Sequence, residues 1–275
     1  MTTRAFETHG PVQLYVELGK GTLTIIATDT QESHVEISGR DAERVLVEQS
    51  GGDRISIIDQ QGRGPFNFTH PGYDVTVVVP TASRLAVKTG SAAATVTGSI
   101  GASLVRTGSG EIDIERLTGA SAVETGSGRI AVHESVAELR VKSGSGDVSI
   151  GTTGAAVAVS TGSGDVELGR TRGPVSVKTG SGDLRIRDAD ADVSLSTGSG
   201  DLEVSTVRRG KIVGKGASGD IRVGVPHGIP VWTDIATVTG QIRSGLHGTG
   251  QPADGQDHVE LRARTVTGDV TLVEV

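Results

Sequence analysis

The sequence predicts an all-β chain: a single elongated β-solenoid, or β-helix, of 18-residue coils with irregular capping coils at both ends. Three observations carry this. The tetrad Thr-Gly-Ser-Gly or a near copy begins at Thr89, Thr107, Thr125, Ser143, Thr161, Thr179 and Thr197, always 18 residues apart. Apolar residues alternate with polar ones on both sides of it, the period of a half-buried strand. Eighteen residues are also too few for a βαβ unit, which needs about 30. One unit must therefore be stacked on itself, each copy burying its apolar side against its neighbours.

Taken in order, residues 1–80 read as irregular leading coils. Strands are expected at Val12 to Leu18, Leu23 to Ala27, His34 to Ile37, Val45 to Glu48, Ile55 to Ile58 and Tyr73 to Val79, with Gly-containing turns between them. One loop interrupts them, Gln60 to Gly72, with Pro and Gly at both ends. It holds Phe66 and Phe68, two of the three Phe in the chain. A long loop carrying aromatics is a common contact site. The candidate interaction residues are therefore Phe66, Phe68, His70 and Tyr73, the alternative being that the rings fold back to plug the end or flank of the solenoid.

Residues 81–206 form the regular coils. Two places before each tetrad stand Val87, Val105, Val123, Val141, Val159, Val177 and Leu195, and two further apolar columns follow it. The parity puts the tetrad's first residue inside, where a column of hydroxyls can bond along the stack or to the corner amides. A second corner carries Gly101, Gly119, Ala137, Ala155, Gly173 and Ala191, all small, as a bend pressed against its neighbours requires. Outward residues flank the tetrad with complementary charge: Arg106 with Glu111, Lys142 with Asp147, Lys178 with Asp183, and, both signs reversed, Glu124 with Arg129. Charge pairing across the turn explains the swap; a row of calcium ligands does not.

Residues 207–275 are read as the closing irregular coils of the same continuous domain. Strands are expected at Ile221 to Val225, Val231 to Val238 and Val259 to Ala263. A breaker-rich stretch at 245–257 reads as disordered, and the strands at 259–273 are expected to form the closing coil. About ten coils at ~4.8 Å each would give a length near 50 Å.

Composition narrows the function. Net charge of -7 leaves no basic stripe for nucleic acid or an anionic membrane. Cys 0 removes disulfides and thiolate chemistry. Met1 is not followed by an apolar signal region, and no run approaches a membrane span of about 18 apolar residues, so a cytoplasmic location without direct membrane insertion is expected. Gly214 to Gly219 satisfies G-x-G-x-x-G but no helix follows it, and the seven His lack metal-ligand spacing. No catalytic, metal or cofactor site is expected.

The opening Gly10-Pro-Val-Gln-Leu-Tyr-Val16, the strand Asp74-Val-Thr-Val-Val-Val-Pro80, the Thr-Gly-Ser-Gly-Asp-Val coils and the closing Thr265-Val-Thr-Gly-Asp-Val270 together resemble the bacterial adhesin-like family of β-strand repeats, also called toastrack domains. The resemblance covers essentially the whole chain. It implies the solenoid fold, no established catalytic residues, and relatives attached to membrane segments in envelope-stress sensing proteins. The expected function is a non-enzymatic, adhesin-like scaffold for an unknown protein partner. The alternative is a self-associating filament protein; a calcium-binding β-roll and a carbohydrate-active β-helix enzyme are the remaining readings.

Overall fold

Every apolar column of the repeat lies on the inner side of a strand. The residues from Val87 to Leu195 that precede the tetrads are each no more than 3% exposed, and the two columns that follow are buried as deeply. The structure, a computed structural model, describes residues 1–60, 72–248, 250 and 255–275. It divides into two compact units, Met1–Arg140 and Val141–Val275. Apart from a 3-10 turn at Ala42–Arg44, the described residues contain no helix.

Unit 1 holds β1 (Thr2–Glu7), β2 (Gln13–Leu18), β3 (Gly21–Thr28), β4 (Glu32–Ser38), β5 (Val45–Ser50), β6 (Arg54–Asp59), β7 (Tyr73–Pro80), β8 (Arg84–Thr89), β9 (Ala93–Ile100), β10 (Ser103–Thr107), β11 (Ile112–Leu117), β12 (Ser121–Thr125) and β13 (Ile130–Ser135). They form two sheets, ordered β5-β6-β2-β8-β10-β12 and β1-β4-β7-β3-β9-β11-β13. Regular coils pair in parallel with a shift of 18 residues, as Val87 with Val105 and Ile112 with Ile130. The order at the start is not the order of the chain. The coil of β2 and β3 lies between β8 and β9 on one side and β6 and β7 on the other. Antiparallel pairing joins β1 to β4, β4 to β7 and β5 to β6, at the outer edges of the two sheets.

The division between the units falls within β14 (Leu139–Ser143). Unit 2 continues with β15 (Val148–Thr153), β16 (Val157–Thr161), β17 (Val166–Thr171), β18 (Val175–Ser181), β19 (Leu184–Ala189), β20 (Val193–Ser199), β21 (Leu202–Val207), β22 (Gly210–Ser218), β23 (Ile221–Val225), β24 (Val231–Thr237), β25 (Ile242–Ser244), β26 (Val259–Thr265) and β27 (Val270–Glu274). Its sheets run β16-β18-β20-β22-β26-β24 and β15-β17-β19-β21-β23-β27-β25. The expected closing coil is thus one place further in than its position in the chain: β26 and β27 pair with β22 and β23, and β24 and β25 lie outside them. Side chains explain the exchange. Inward positions of β26 carry Val259, Leu261 and Ala263, all at most 1% exposed, whereas β24 puts Thr233 opposite Leu261. The more apolar coil is buried between two others, and the coil interrupted by Thr233 and Ser244 is left at the edge.

Close stacking explains the glycines of the tetrad. A Cβ on Gly110 or Gly128 would stand 2.0 or 1.9 Å from the carbonyl oxygen one coil away, that of Ala92 or Gly110. Backbone meets backbone there, and no side chain fits.

Candidate interaction surface

The polar columns are largely engaged by the fold itself. Hydroxyls of the tetrad's first residue turn inward and bond their own corner: Gly110 and Gly128 donate N–H to Thr107 and Thr125 Oγ1 at 2.9 and 3.0 Å, and Ser143 Oγ donates to the Gly146 carbonyl at 2.7 Å. In unit 2 the aspartates after the corner form a ladder. Asp147 Oδ1 accepts from the Asp165 amide at 3.0 Å, Asp165 from Asp183 at 2.8 Å, Asp183 from Asp201 at 3.0 Å and Asp201 from Asp220 at 2.9 Å. Asp220 accepts from Asp269 at 2.8 Å and Asp269 from the Gln241 amide at 2.9 Å, so the ladder follows the exchanged order of the last coils. These carboxylates bind the next coil's backbone.

Charge pairing also runs along the stack and not across the turn. Arg106 Nε meets Glu124 Oε2 at 2.9 Å, and the two are ladder partners in β10 and β12. Lys88 likewise reaches Glu17, its partner in β2, at 3.5 Å. The expected pairing of Arg106 with Glu111 is replaced by this contact between neighbouring coils, which lie about 4.8 Å apart. The sign reversal at Glu124 is real compensation, directed to the coil below.

The outermost coil of unit 2 differs from all of this. Among the described residues β24 and β25 each pair on one side only, leaving N–H and C=O groups along the other. Ile242 is aligned with the buried Val270 and therefore faces inward, yet it is 52% exposed. Val231 and Ile235, aligned with Val259 and Ala263, are half-buried. Among the described residues no further strand covers the core here, and exposed Val238 and Val266 lie at the adjoining corners. Beside this end, His227 and His247 bracket Glu274, His247 Nδ1 lying 2.6 Å from Oε2. Hydrogen bonds from His247 and then His227 hold the Glu274 carboxyl below its ordinary range.

Of the residues expected to form an interaction site, Phe66, Phe68 and His70 lie outside the described residues. Tyr73 is a correction. It opens β7 on the inward parity of Val75, Val77 and Val79, is 2% exposed, and its burial pushes the phenol pKa up. Its backbone packs so closely on Gly21 that a Cβ there would lie 1.9 Å from the Tyr73 carbonyl. The alternation read from Tyr73 to Val79 already contained this parity. What sequence reasoning missed was the open end, because β24 reads as well as any other strand until its position in the stack is known.

Among the described residues no helix is long and apolar enough to cross a membrane, and no group of three or more His, Asp or Glu converges as metal ligands would. The Toastrack DUF4097 family model matches residues 12–273. No curated protein matches the chain. Solved structures similar to it include a "putative adhesin" from Bacteroides fragilis, 15% identical with a TM-score of 0.38, covering 100% of this chain and 96% of that one. A "putative adhesin" from Parabacteroides distasonis is 13% identical, with a TM-score of 0.40 and coverage of 99% and 96%. A "putative lipid binding protein" from the same species is 15% identical, with a TM-score of 0.36 and coverage of 100% and 96%.

Proposed function

Because the chain belongs to the Toastrack DUF4097 family, we propose that it is a non-enzymatic β-solenoid scaffold whose open end in unit 2 docks an extended segment of a protein partner. The observation that carries this reading is Ile242, a core-column residue left 52% exposed beside two unpaired strand edges. A partner strand added to β24 or β25 would satisfy the free backbone groups, and its apolar side chains would cover Val231, Ile235 and Ile242. A second copy of this chain is a poorer occupant. An antiparallel pair of β24 strands centred on Val231–Thr237 would set Asp234 against itself.

Selecting extended peptides on the intact chain tests the proposal. Hydrogen exchange should then show protection of amides in 231–237 or 242–244 by the selected peptide, with binding lost in Ile242→Asp. Peptides that bind only elsewhere, or equally well to Ile242→Asp, would overturn it.

A further inference from the structure

On the outer face of the same coil lies a depression of different chemistry. Trp232, the only Trp in the chain, is 60% exposed there. It is aligned with Glu260 in β26, and Asp234 with Arg262, so the four side chains leave one face of the sheet as neighbours. They line an open hollow of about 370 Å³, whose floor includes Thr233, the residue between Trp232 and Asp234. The polar members are held in place. Glu260 accepts from Arg262 at 2.7 Å and pairs with Lys211 at 3.3 Å, and Asp234 faces Arg264 at 3.5 Å.

We propose that this hollow is a binding site for a neutral, flat-faced oligosaccharide. A pyranose ring presents an apolar C–H face and an equatorial rim of hydroxyls. An exposed indole complements the face, while two carboxylates and a guanidinium complement the rim as acceptors and donor. Other occupants fit less well. A uronate or a phosphate gains little, since Arg262 and Lys211 are already engaged by Glu260 and Arg264 by Asp234, and an anion would have to compete with those carboxylates. A buried protein anchor would need Trp232 against the open core, and Trp232 points the other way. The site is independent of the proposed strand docking, which uses the inward residues and strand edges of the coil.

With a single Trp, fluorescence of the intact chain excited at the red edge of indole absorption, beyond that of its two Tyr, reports on this hollow alone. Cellotetraose, chitotetraose and laminaritetraose serve as neutral probes and polygalacturonate as the acidic one. At least one neutral probe should produce a saturable change in emission. Calorimetry with that probe should lose binding in Trp232→Ala, and Arg262→Met, which keeps the reporter, should weaken it about tenfold. Both side chains are exposed enough for the variants to fold, which the wild-type circular dichroism spectrum checks. No saturable change with any neutral probe would overturn the proposal. So would binding of polygalacturonate alone, or neutral binding unaltered in Trp232→Ala. Ile242→Asp should leave sugar binding unchanged, which separates failure here from failure of the docking proposal.

Discussion

The Asp183 amide donates to Asp165 Oδ1 at 2.8 Å, joining equivalent positions of coils 18 residues apart. The same bond recurs at each coil boundary from Asp147 to Asp220 and then, beyond the 49-residue step from Asp220 to Asp269, once more at Gln241. An acid column that looks on paper like a cation site is thereby a set of side-chain staples.

Replacing one staple should separate geometry from charge. Asp165→Ala removes a charge-assisted acceptor at an exposed corner and is expected to cost about 1 kcal/mol. Asp165→Asn keeps an acceptor and relieves repulsion along the column, and should lie within about 0.5 kcal/mol of wild type. Urea unfolding of the two variants checks the difference. Equal losses would mean that the amide bond contributes nothing.

Calcium should not alter stability. The ladder directs one oxygen of each carboxylate to a backbone amide, and a cation would have to displace those bonds. The same Tm is expected in excess calcium and in chelator. A calcium-dependent rise would show that the corner binds the ion.

Two glycines should respond in opposite directions to alanine. Gly214 occupies an inward position between Leu195 and Ala263, and a Cβ there would meet Ile221 at 3.5 Å and Leu202 at 3.6 Å, ordinary packing distances. Gly214→Ala should stabilise the chain by about 0.5–1 kcal/mol. Gly128→Ala drives a Cβ to 1.9 Å from the Gly110 carbonyl oxygen and should be strongly destabilising. Thermal melts of both proteins decide the matter.

Thr153 is 1% exposed and its hydroxyl has no hydrogen-bond partner among the described residues. Its ladder partner Thr171, by contrast, donates to the Asp188 carbonyl at 3.3 Å. Thr153→Val should therefore raise stability by about 1 kcal/mol, and Thr171→Val should lower it by a similar amount. Chemical denaturation of the pair tests the contrast, and a loss in both would show that Thr153 has a partner after all.

The segment 60–72 yields a prediction from sequence alone. If Phe66 and Phe68 contact a partner, Phe66→Ala and Phe68→Ala should each reduce recovery of that partner without lowering Tm. Unchanged recovery would remove the segment from the interaction.

Much of the fold was legible because one column of side chains repeats one environment. Val87 and Val177 occupy equivalent buried positions of coils 90 residues apart, so a single alignment places every inward residue of the regular coils. Both end regions were legible as strands but not as an order. Which coil lies inside depends on comparing β26 with β24 as packing partners, and a difference as small as Leu261 against Thr233 decides it. The open end followed the same rule. Ile242 reads as a core residue and is one by alignment, yet no further coil among the described residues covers it.

The fold-back at each end also dictates an order of assembly. Regular coils meet partners 18 residues away, as Asp183 meets Asp165, and can add one after another with short loops to close. The Val12 amide instead reaches buried Ser83 Oγ at 2.9 Å across 71 residues, and Asp269 reaches Asp220 across 49. Such distant contacts are slow to form and gain little until the surfaces they join exist. The end coils thus act as clasps, and a nascent chain that stalls before residue 84 would hold β2 and β3 against β6 and β7 but bare on the side that β8 and β9 later cover.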